Sequence, residues 1–511
     1  MIAKQTSKQS VISISFNGFF SNSTQKKNNY LSFAKKHLWS GKFLKTVSIL
    51  FCIGVLLTGT LWATKEPIVS NKMLSVTDIH FNPFYDPTLA QQLVQQPYQE
   101  WDKVFSTSKV TTPTPYKKET NPVLYQMLLG SMKKNGRGIK AIMFSGDILA
   151  HDFNEMITQY TGATSNYERN NFIYKTMGYV SMKLRKMFPH VPVYFSLGNN
   201  DAYNGDYALV DDGEFLHTTA DLFFKNFIKQ QKNRDVFYST YPVHGYYSLP
   251  FPAIKQGRII GLNTIFFSTN YASSVRNDPG TMELNWLEQE LIKAKQAGEK
   301  VWLLLHIPPG VNVYSTQRNS TPKTINVMLQ WQAVYNQRYL EIVRQYSDEI
   351  VASFAGHTHM DDFRLIYDTD EADRKAIDFI HISASVTPVF GNNPAFQIIN
   401  YNPQSGELND TVTYYIDLKE TVPAFQQEYG YSASYNVTPD LSGLAEIYPT
   451  LVSDLVKRES YTQYYPVSST ASSIADVWQW YWCGIGNLTP DDFIKAYKQI
   501  QLPSQKMEDK R

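Results

Sequence analysis

Cysteine is nearly absent: the 511 residues contain two, Cys52 and Cys483. One lies in an apolar run and the other near the end, so a disulfide framework is excluded and the core must hold itself together. Acidic residues are missing from positions 1 to 65, which carry nine Lys. The remainder then holds 39 basic against 46 acidic residues, a net of about −7, and a body of that sign does not soak up nucleic acid or other polyanions through bulk charge. Internal repeats and low-complexity tracts are also lacking. What the chain does have is 43% hydrophobic and 14% aromatic content, enough for a large core and a second, smaller unit beside it.

Long apolar runs are scarce too. The one that stands out is Val47 to Ala63, at the lower end of what spans a bilayer, and it follows Lys26, Lys27, Lys35, Lys36, Lys42 and Lys45. This predicts a basic N-terminal segment (1–46), an uncleaved signal anchor (47–63) and a body outside the cytoplasm, in a lumen, the periplasm or the medium. A cleaved signal, which would make the protein secreted, and a buried core helix are the alternatives.

Beyond the anchor, short β-type runs alternate with helical stretches such as Pro122 to Lys134, Asn171 to Met187, Met282 to Ala297 and Met328 to Tyr346. That rhythm predicts an α/β layered domain over residues 73–418. After the strand-like Val412 to Leu418 the pattern turns helical, which predicts a C-terminal helical subdomain over 420–505.

Five apolar runs end in polar clusters. Met73 to Thr77 leads to Asp78 and His80; Ile139 to Gly146 leads to Asp147 and His151; Val191 to Gly198 leads to Asn199, Asn200 and Asp201. Val301 to Leu305 leads to His306, and Ile350 to Gly356 leads to His357 and His359. In open α/β sheets ligands collect beyond the carboxyl ends of strands, so five clusters so placed can converge on one site. Singly, each has a bland reading as a turn or cap; together they hold five of the ten histidines. Asp, Asn and imidazole without thiolate suit zinc, manganese or iron. Two such divalent ions can clamp a phosphoryl group and supply a hydroxide nucleophile near neutral pH.

The ordered series Asp-x-His, Gly-Asp, Gly-Asn-x-Asp, His and Gly-His-x-His resembles the calcineurin-like metallophosphoesterase superfamily. The likeness is closer to acid sphingomyelinase-like phosphodiesterases. It is carried by Ser145-Gly-Asp-Ile-Leu-Ala-His-Asp152, His306-Ile-Pro-Pro-Gly310, Gly356-His-Thr-His-Met-Asp-Asp-Phe363, Ser385-Val-Thr-Pro388 and Asn393-Pro-Ala-Phe396. The resemblance implies a metallophosphoesterase-type β-sandwich flanked by helices. It also implies one metal on Asp78, His80, Asp147 and His359 and a second on Asp147, Asn199, His306 and His357, with Asp147 as the bridge.

Asn200 stands where that family usually places a histidine, and an amide cannot deliver a proton. The resemblance sets His151 near the leaving oxygen and so implies the general-acid role for it, with Asn200 stabilising phosphoryl oxygens and Asp201 orienting a neighbouring ligand such as His151. The substrate expected is a phosphate ester: a lipid, a nucleotide or polyphosphate. Gly-Asn-Asn-Asp is similar to endopolyphosphatases, so a polyphosphate or nucleotide pyrophosphate hydrolase is the first rival, with Lys72, Arg276 and Arg364 as candidate anion contacts. An inactive, membrane-tethered binding protein is the second. The Trp478-Gln-Trp-Tyr-Trp482 run is either a lipid-facing patch or core packing.

Overall fold

The computed structural model describes residues 70–271, 278–321, 323–370 and 373–508. The signal-anchor reading of residues 47–63 and the candidate Arg276 fall outside the described residues. Among the described residues no helix is long and apolar enough to cross a membrane.

Two mixed six-stranded sheets form the centre. The strands are β1 (Asn71–Val76), β2 (Ile142–Phe144), β3 (Val193–Phe195), β4 (Tyr247–Pro250), β5 (Gly257–Gly261), β6 (Lys300–Leu304), β7 (Ile350–Ala355), β8 (Asp362–Tyr367), β9 (Ala376–Ile382), β10 (Ala395–Tyr401), β11 (Leu408–Ile416) and β12 (Phe425–Gly430). The first sheet runs β12-β11-β10-β1-β2-β3 and the second β4-β5-β6-β7-β9-β8. Within them β1, β2 and β3 are mutually parallel, as are β5, β6, β7 and β9. Strands buried on both faces read as near-continuous apolar runs: Ile-Met-Phe and Val-Trp-Leu-Leu are unbroken, and Met-Leu-Ser-Val is interrupted only by Ser75.

The sheets pack face to face, as a sandwich requires. Trp302 of β6 meets Tyr401 of β10 with ring centroids 4.9 Å apart, and its indole N–H donates to Gly406 O at 2.8 Å. Tyr194 of β3 meets Phe251 edge-on at 5.3 Å, and the Ser75 and Ser383 hydroxyls join the two sheets at 2.6 Å.

Helices flank the sandwich, and their starts obey capping rules. Asn121 accepts the Leu124 N–H ahead of Pro122–Asn135, with Pro in the first turn. Ser165 and Glu168 close a capping box on Asn166–Met187, and Asp278 caps Pro279–Ala297. Several boundaries differ from the sequence reading: the helices read from Asn171 and Met282 begin at Asn166 and Pro279, and two further segments are not helical. Met328 to Trp331 is extended and bridges Val311 and Ser268, so that helix begins at Ala333. Residues 425–430, placed by pattern in the helical unit, are instead the edge strand β12, whose Phe-Gln-Gln-Glu-Tyr-Gly lacks alternation.

Helices Tyr431–Tyr435, Leu441–Ser453, Leu455–Tyr464, Trp478–Gly486 and Pro490–Glu508 follow. The Trp478-Gln-Trp-Tyr-Trp482 run packs inward: Trp480 and Tyr481 are buried, and the Trp482 ring stacks on Tyr448 at 4.8 Å.

Candidate metal centre

The polar clusters lie on the loops that leave the carboxyl ends of β1, β2, β3, β6 and β7, which are adjacent parallel strands within each sheet. Backbone bonds join these loops directly: Asp78 N–H to Gly146 O at 3.0 Å, His80 N–H to Asp147 O at 3.0 Å and Gly356 N–H to His306 O at 2.9 Å. The Ser385-Val-Thr-Pro388 stretch backs them, with Ser385 N–H on His359 O and Thr387 N–H on Asp78 O, both at 3.1 Å.

Asp78, His80, Asp147, His357 and His359 all have φ between 42° and 70°. Left-handed backbone at a non-glycine residue costs roughly 1–3 kcal/mol and persists where the surroundings enforce it, typically at functional sites. Two glycines make the crowding possible. A Cβ on Gly198 would lie 2.1 Å from Asp147 Oδ1, and one on Gly356 would lie 2.1 Å from Thr77 Oγ1.

The donor atoms converge in two groups that share one oxygen. In the first, His359 Nε2 is 3.2 Å from His80 Nε2 and 3.4 Å from Asp78 Oδ1, and His80 Nε2 is 3.4 Å from Asp147 Oδ2. In the second, Asp147 Oδ2 is 3.3 Å from His306 Nε2, while Asn199 Oδ1 is 2.9 Å from both His306 Nε2 and His357 Nδ1. Asp147 Oδ2 is thus the atom between the groups.

Neighbours turn the remaining atoms away. His80 Nδ1–H donates to Leu149 O at 2.8 Å and His306 Nδ1–H to Ser145 O at 2.5 Å, which leaves each Nε2 for the centre. Asp78 Oδ2 accepts Thr77 Oγ1–H at 2.6 Å and His357 N–H at 3.0 Å. Asp78 Oδ1, fully buried, has no hydrogen-bond partner among the described residues. A carboxylate oxygen so placed, facing imidazole nitrogens at non-bonded distances, fits a divalent cation.

Electrostatics point the same way. Burial disfavours a charged His80, yet Asp147 and Asp78 lift its pKa to about 10. Burial also opposes charge on His306, which Asp147 and Asp78 lift to about 9. Burial and the neighbouring His306 push His357 down to about 4, and burial holds His359 well below the usual imidazole range. Two buried carboxylates therefore draw positive charge into the spot where the donors meet.

The other sequence-assigned residues sit around this centre. Asn200 donates its backbone N–H to Asp147 Oδ1 at 2.8 Å and its Nδ2–H to Asp147 Oδ2 at 3.0 Å. Asp201 accepts the backbone N–H of Asp147, Ile148, Leu149 and Gly198 at 2.9 to 3.3 Å. It braces the turn carrying Asp147 and makes none of these bonds to His151, the neighbour expected from sequence. His151 stacks on His80 with centroids 4.2 Å apart, and one of its ring nitrogens lies within 4.8 Å of those of His80 and His359.

Sequence reasoning missed several residues. Asp206 Oδ1 accepts Asn199 Nδ2–H at 2.7 Å, which turns the amide oxygen inward. Glu119 Oε1 accepts His151 Nδ1–H at 2.7 Å; burial would raise its carboxyl, but the His151 bond and the charge of His80 bring it below its ordinary value. Phe390 packs edge-on to His359 at 4.6 Å and to His151 at 5.7 Å, yet is 54% exposed. Asp206 alone had a signal, its short spacing from the Gly-Asn-Asn-Asp turn.

A sandwich of two mixed sheets with strand-end Asp, Asn and His donors around a shared carboxylate defines a metal-dependent hydrolase of phosphoric esters. The chain belongs to the calcineurin-like phosphoesterase family, whose model matches residues 72–361. Over 436 residues it is 26% identical to the mouse protein named cyclic GMP-AMP phosphodiesterase SMPDL3A, covering 81% of this chain and 88% of that one. It is 29% identical to human acid sphingomyelinase-like phosphodiesterase 3b over 58% of this chain and 63% of the relative. To sphingomyelinase phosphodiesterase C of Dictyostelium discoideum it is 26% identical, over 72% and 79% respectively.

Proposed function

We propose that this protein is a two-metal phosphodiesterase working outside the cytoplasm, with Asp78, His80, Asp147 and His359 holding one ion and Asp147, Asn199, His306 and His357 the other. The observation that carries this reading is Asp147 Oδ2 lying 3.4 Å from His80 Nε2 and 3.3 Å from His306 Nε2. Zinc suits the imidazole-rich set, with manganese or iron as alternatives. When bound, such ions supply Lewis acidity and a water that ionises near neutral pH.

The chain's own groups do the rest. One Asn200 amide N–H is engaged by Asp147, and the other is free to donate to a phosphoryl oxygen. His151 delivers a proton to the departing oxygen. Asp201 keeps Asp147 in place through the turn amides. The match to the phosphoesterase family and to relatives named phosphodiesterases favours an enzyme over a binding module.

The walls beside the centre favour a phosphodiester over polyphosphate. A cavity of about 170 Å³ is lined by Asn200, Asn204, Asp152, Glu155 and Asp206, with no Lys or Arg among its described lining residues. It shares Asn154, Glu155 and Asn204 with a groove of about 790 Å³ whose one basic residue among those described is Arg169. Of the candidate anion contacts, Arg364 is buried against Asp362 at 2.5 Å, and Lys72 lies at the start of β1, the end opposite Asp78. An acid-lined approach repels a polyanion and accepts a neutral or cationic substituent. Relatives named for cyclic GMP-AMP and for sphingomyelinase activity support a phosphodiester substrate.

A hydrolysis panel tests the reading: bis-p-nitrophenyl phosphate, sphingomyelin, ATP and polyphosphate, each with added zinc, manganese or iron, and His359→Ala as the blank. Metal-dependent cleavage of a diester, absent from the variant, is expected. Preferential cleavage of polyphosphate would move the assignment to the rival, and an inert protein to the binding module. Membrane fractionation with protease protection tests residues 47–63 as an anchor for a body outside the cytoplasm.

A further inference from the structure

Glu119 lies on a segment that is stitched to two loops of the centre. Thr120 N–H donates to His80 O at 3.2 Å, Asn82 N–H donates to Thr120 O at 2.8 Å, and Lys117 N–H donates to Pro388 O at 3.0 Å. From this fixed platform the buried Glu119 carboxylate spans two partners. Its Oε1 accepts His151 Nδ1–H at 2.7 Å, and its Oε2 accepts Thr387 Oγ1–H at 3.0 Å.

His151 otherwise has only ring contacts. One face lies on His80, 11° from parallel, and Phe390 meets it edge-on. Among the described residues no other polar atom bonds it. Stacking fixes the plane of an imidazole but lets the ring flip and exchange its nitrogens. A carboxylate on Nδ1 removes that freedom and leaves Nε2 as the nitrogen open to a reacting group.

We propose that Glu119 is a positioning residue of the phosphodiesterase reaction. It holds His151 by Nδ1 so that Nε2 faces the departing oxygen, and Thr387 braces Glu119 in turn. This rests on the proton-donor role given to His151 above. No chemistry passes through Glu119; its effect is to keep one proton-bearing atom within reach of one oxygen.

The test uses two substrates that differ in the leaving alcohol: p-nitrophenyl phosphorylcholine, whose leaving group needs no proton, and glycerophosphorylcholine, whose alkoxide does. Glu119→Ala should lower kcat on the glycerol ester by roughly 10²-fold, the lower end of what a proton donor contributes, and on the nitrophenyl ester by less than about 3-fold. Glu119→Gln, which keeps an oxygen for His151, should recover most of that loss. Thr387→Val should give a smaller loss with the same substrate selectivity, and it keeps the test open if Glu119→Ala fails to fold. The loss in Glu119→Ala plus His151→Ala should not exceed that in His151→Ala, since the two act as one unit.

Equal losses on both esters, additive losses with His151→Ala, or a raised metal requirement in Glu119→Gln would overturn the positioning role. The last would make His151 a ligand. A wild-type protein inert on both esters with every metal would instead overturn the phosphodiesterase reading and this role with it.

Discussion

Asp201 accepts the backbone N–H of Asp147 at 3.0 Å, and with the amides of Ile148, Leu149 and Gly198 it carries four such bonds on one carboxylate. The Asp147 backbone sits at φ 57°, so the carboxylate that would bridge two ions stands on a turn that does not hold itself. Asp201→Ala should therefore weaken metal binding by about 10- to 100-fold, the usual effect of removing a partner outside the ligand set. A metal titration of activity reads this directly. Unchanged half-saturation would show that the turn is stable without Asp201.

The glycine before Asn199 makes a sharper test. A methyl at Gly198 would fall 2.1 Å from Asp147 Oδ1 and 2.2 Å from Asp147 N, both fixed by other bonds. Gly198→Ala should abolish metal-dependent turnover, whereas Gly130→Ala, in helix Pro122–Asn135 with nothing within 4 Å, should stabilise the protein by about 0.5–1 kcal/mol. Urea unfolding and a turnover assay on both variants check the pair; an active Gly198→Ala would mean the loops yield.

Much of this site was legible because each ligand follows a strand that reads as an apolar run, and parallel strands in one sheet deliver their ends to one place. Asp78, Asp147 and His306 were found that way, and Gly356-His-Thr-His by its spacing. Glu119 and Thr387 were not, since one precedes a helix and the other trails β9, and tertiary backbone bonds such as Thr120 to His80 and Thr387 to Asp78 bring them in. Asp201 does brace a neighbouring ligand, as its place in the motif suggested, but the ligand is Asp147 rather than His151, and it is held through backbone amides that a sequence pattern does not display. β12 escaped because only Tyr429 and Gly430 of it are buried, so its six residues carry no alternating apolar pattern to read.

Away from the centre, Asp378 on β9 is buried with Ser353 Oγ–H on Oδ2 at 2.7 Å and no partner for Oδ1 among the described residues. Burial pushes its carboxyl up to about 7. In the unfolded chain it ionises near the ordinary value of about 3.9. Between roughly pH 4 and 7 the unfolded state has released this proton and the folded state has kept it, so this group lowers stability as pH rises. The effect reaches about tenfold in the folding equilibrium per pH unit and levels off above 7. Asp378→Asn, which keeps an oxygen for Ser353, should flatten that slope. Urea midpoints at pH 4.5, 6 and 7.5 compare the two proteins, and parallel profiles would refute the assignment.

The C-terminal helices reach the ligand loop through two phenols. Tyr431 Oη–H donates to Asp361 Oδ1 at 3.1 Å, and Tyr461 Oη–H donates to Asp362 Oδ1 at 3.0 Å, two and three residues beyond His359. Arg364 holds the other oxygen of Asp362, so that carboxylate is buried between a cation and a phenol. Hydrogen bonds to charged groups contribute about 1.5–3 kcal/mol, so Tyr461→Phe should cost that much, whereas Tyr314→Phe, on an exposed ring, should cost less than about 0.5 kcal/mol. If the helices also hold the loop in register, Tyr461→Phe should raise the metal concentration needed for half-maximal activity, because the strained backbone of His357 and His359 loses its anchor. Loss of stability with an unchanged metal requirement would reduce the contact to packing. A shift in both would make the helical unit part of the machinery that binds the ions.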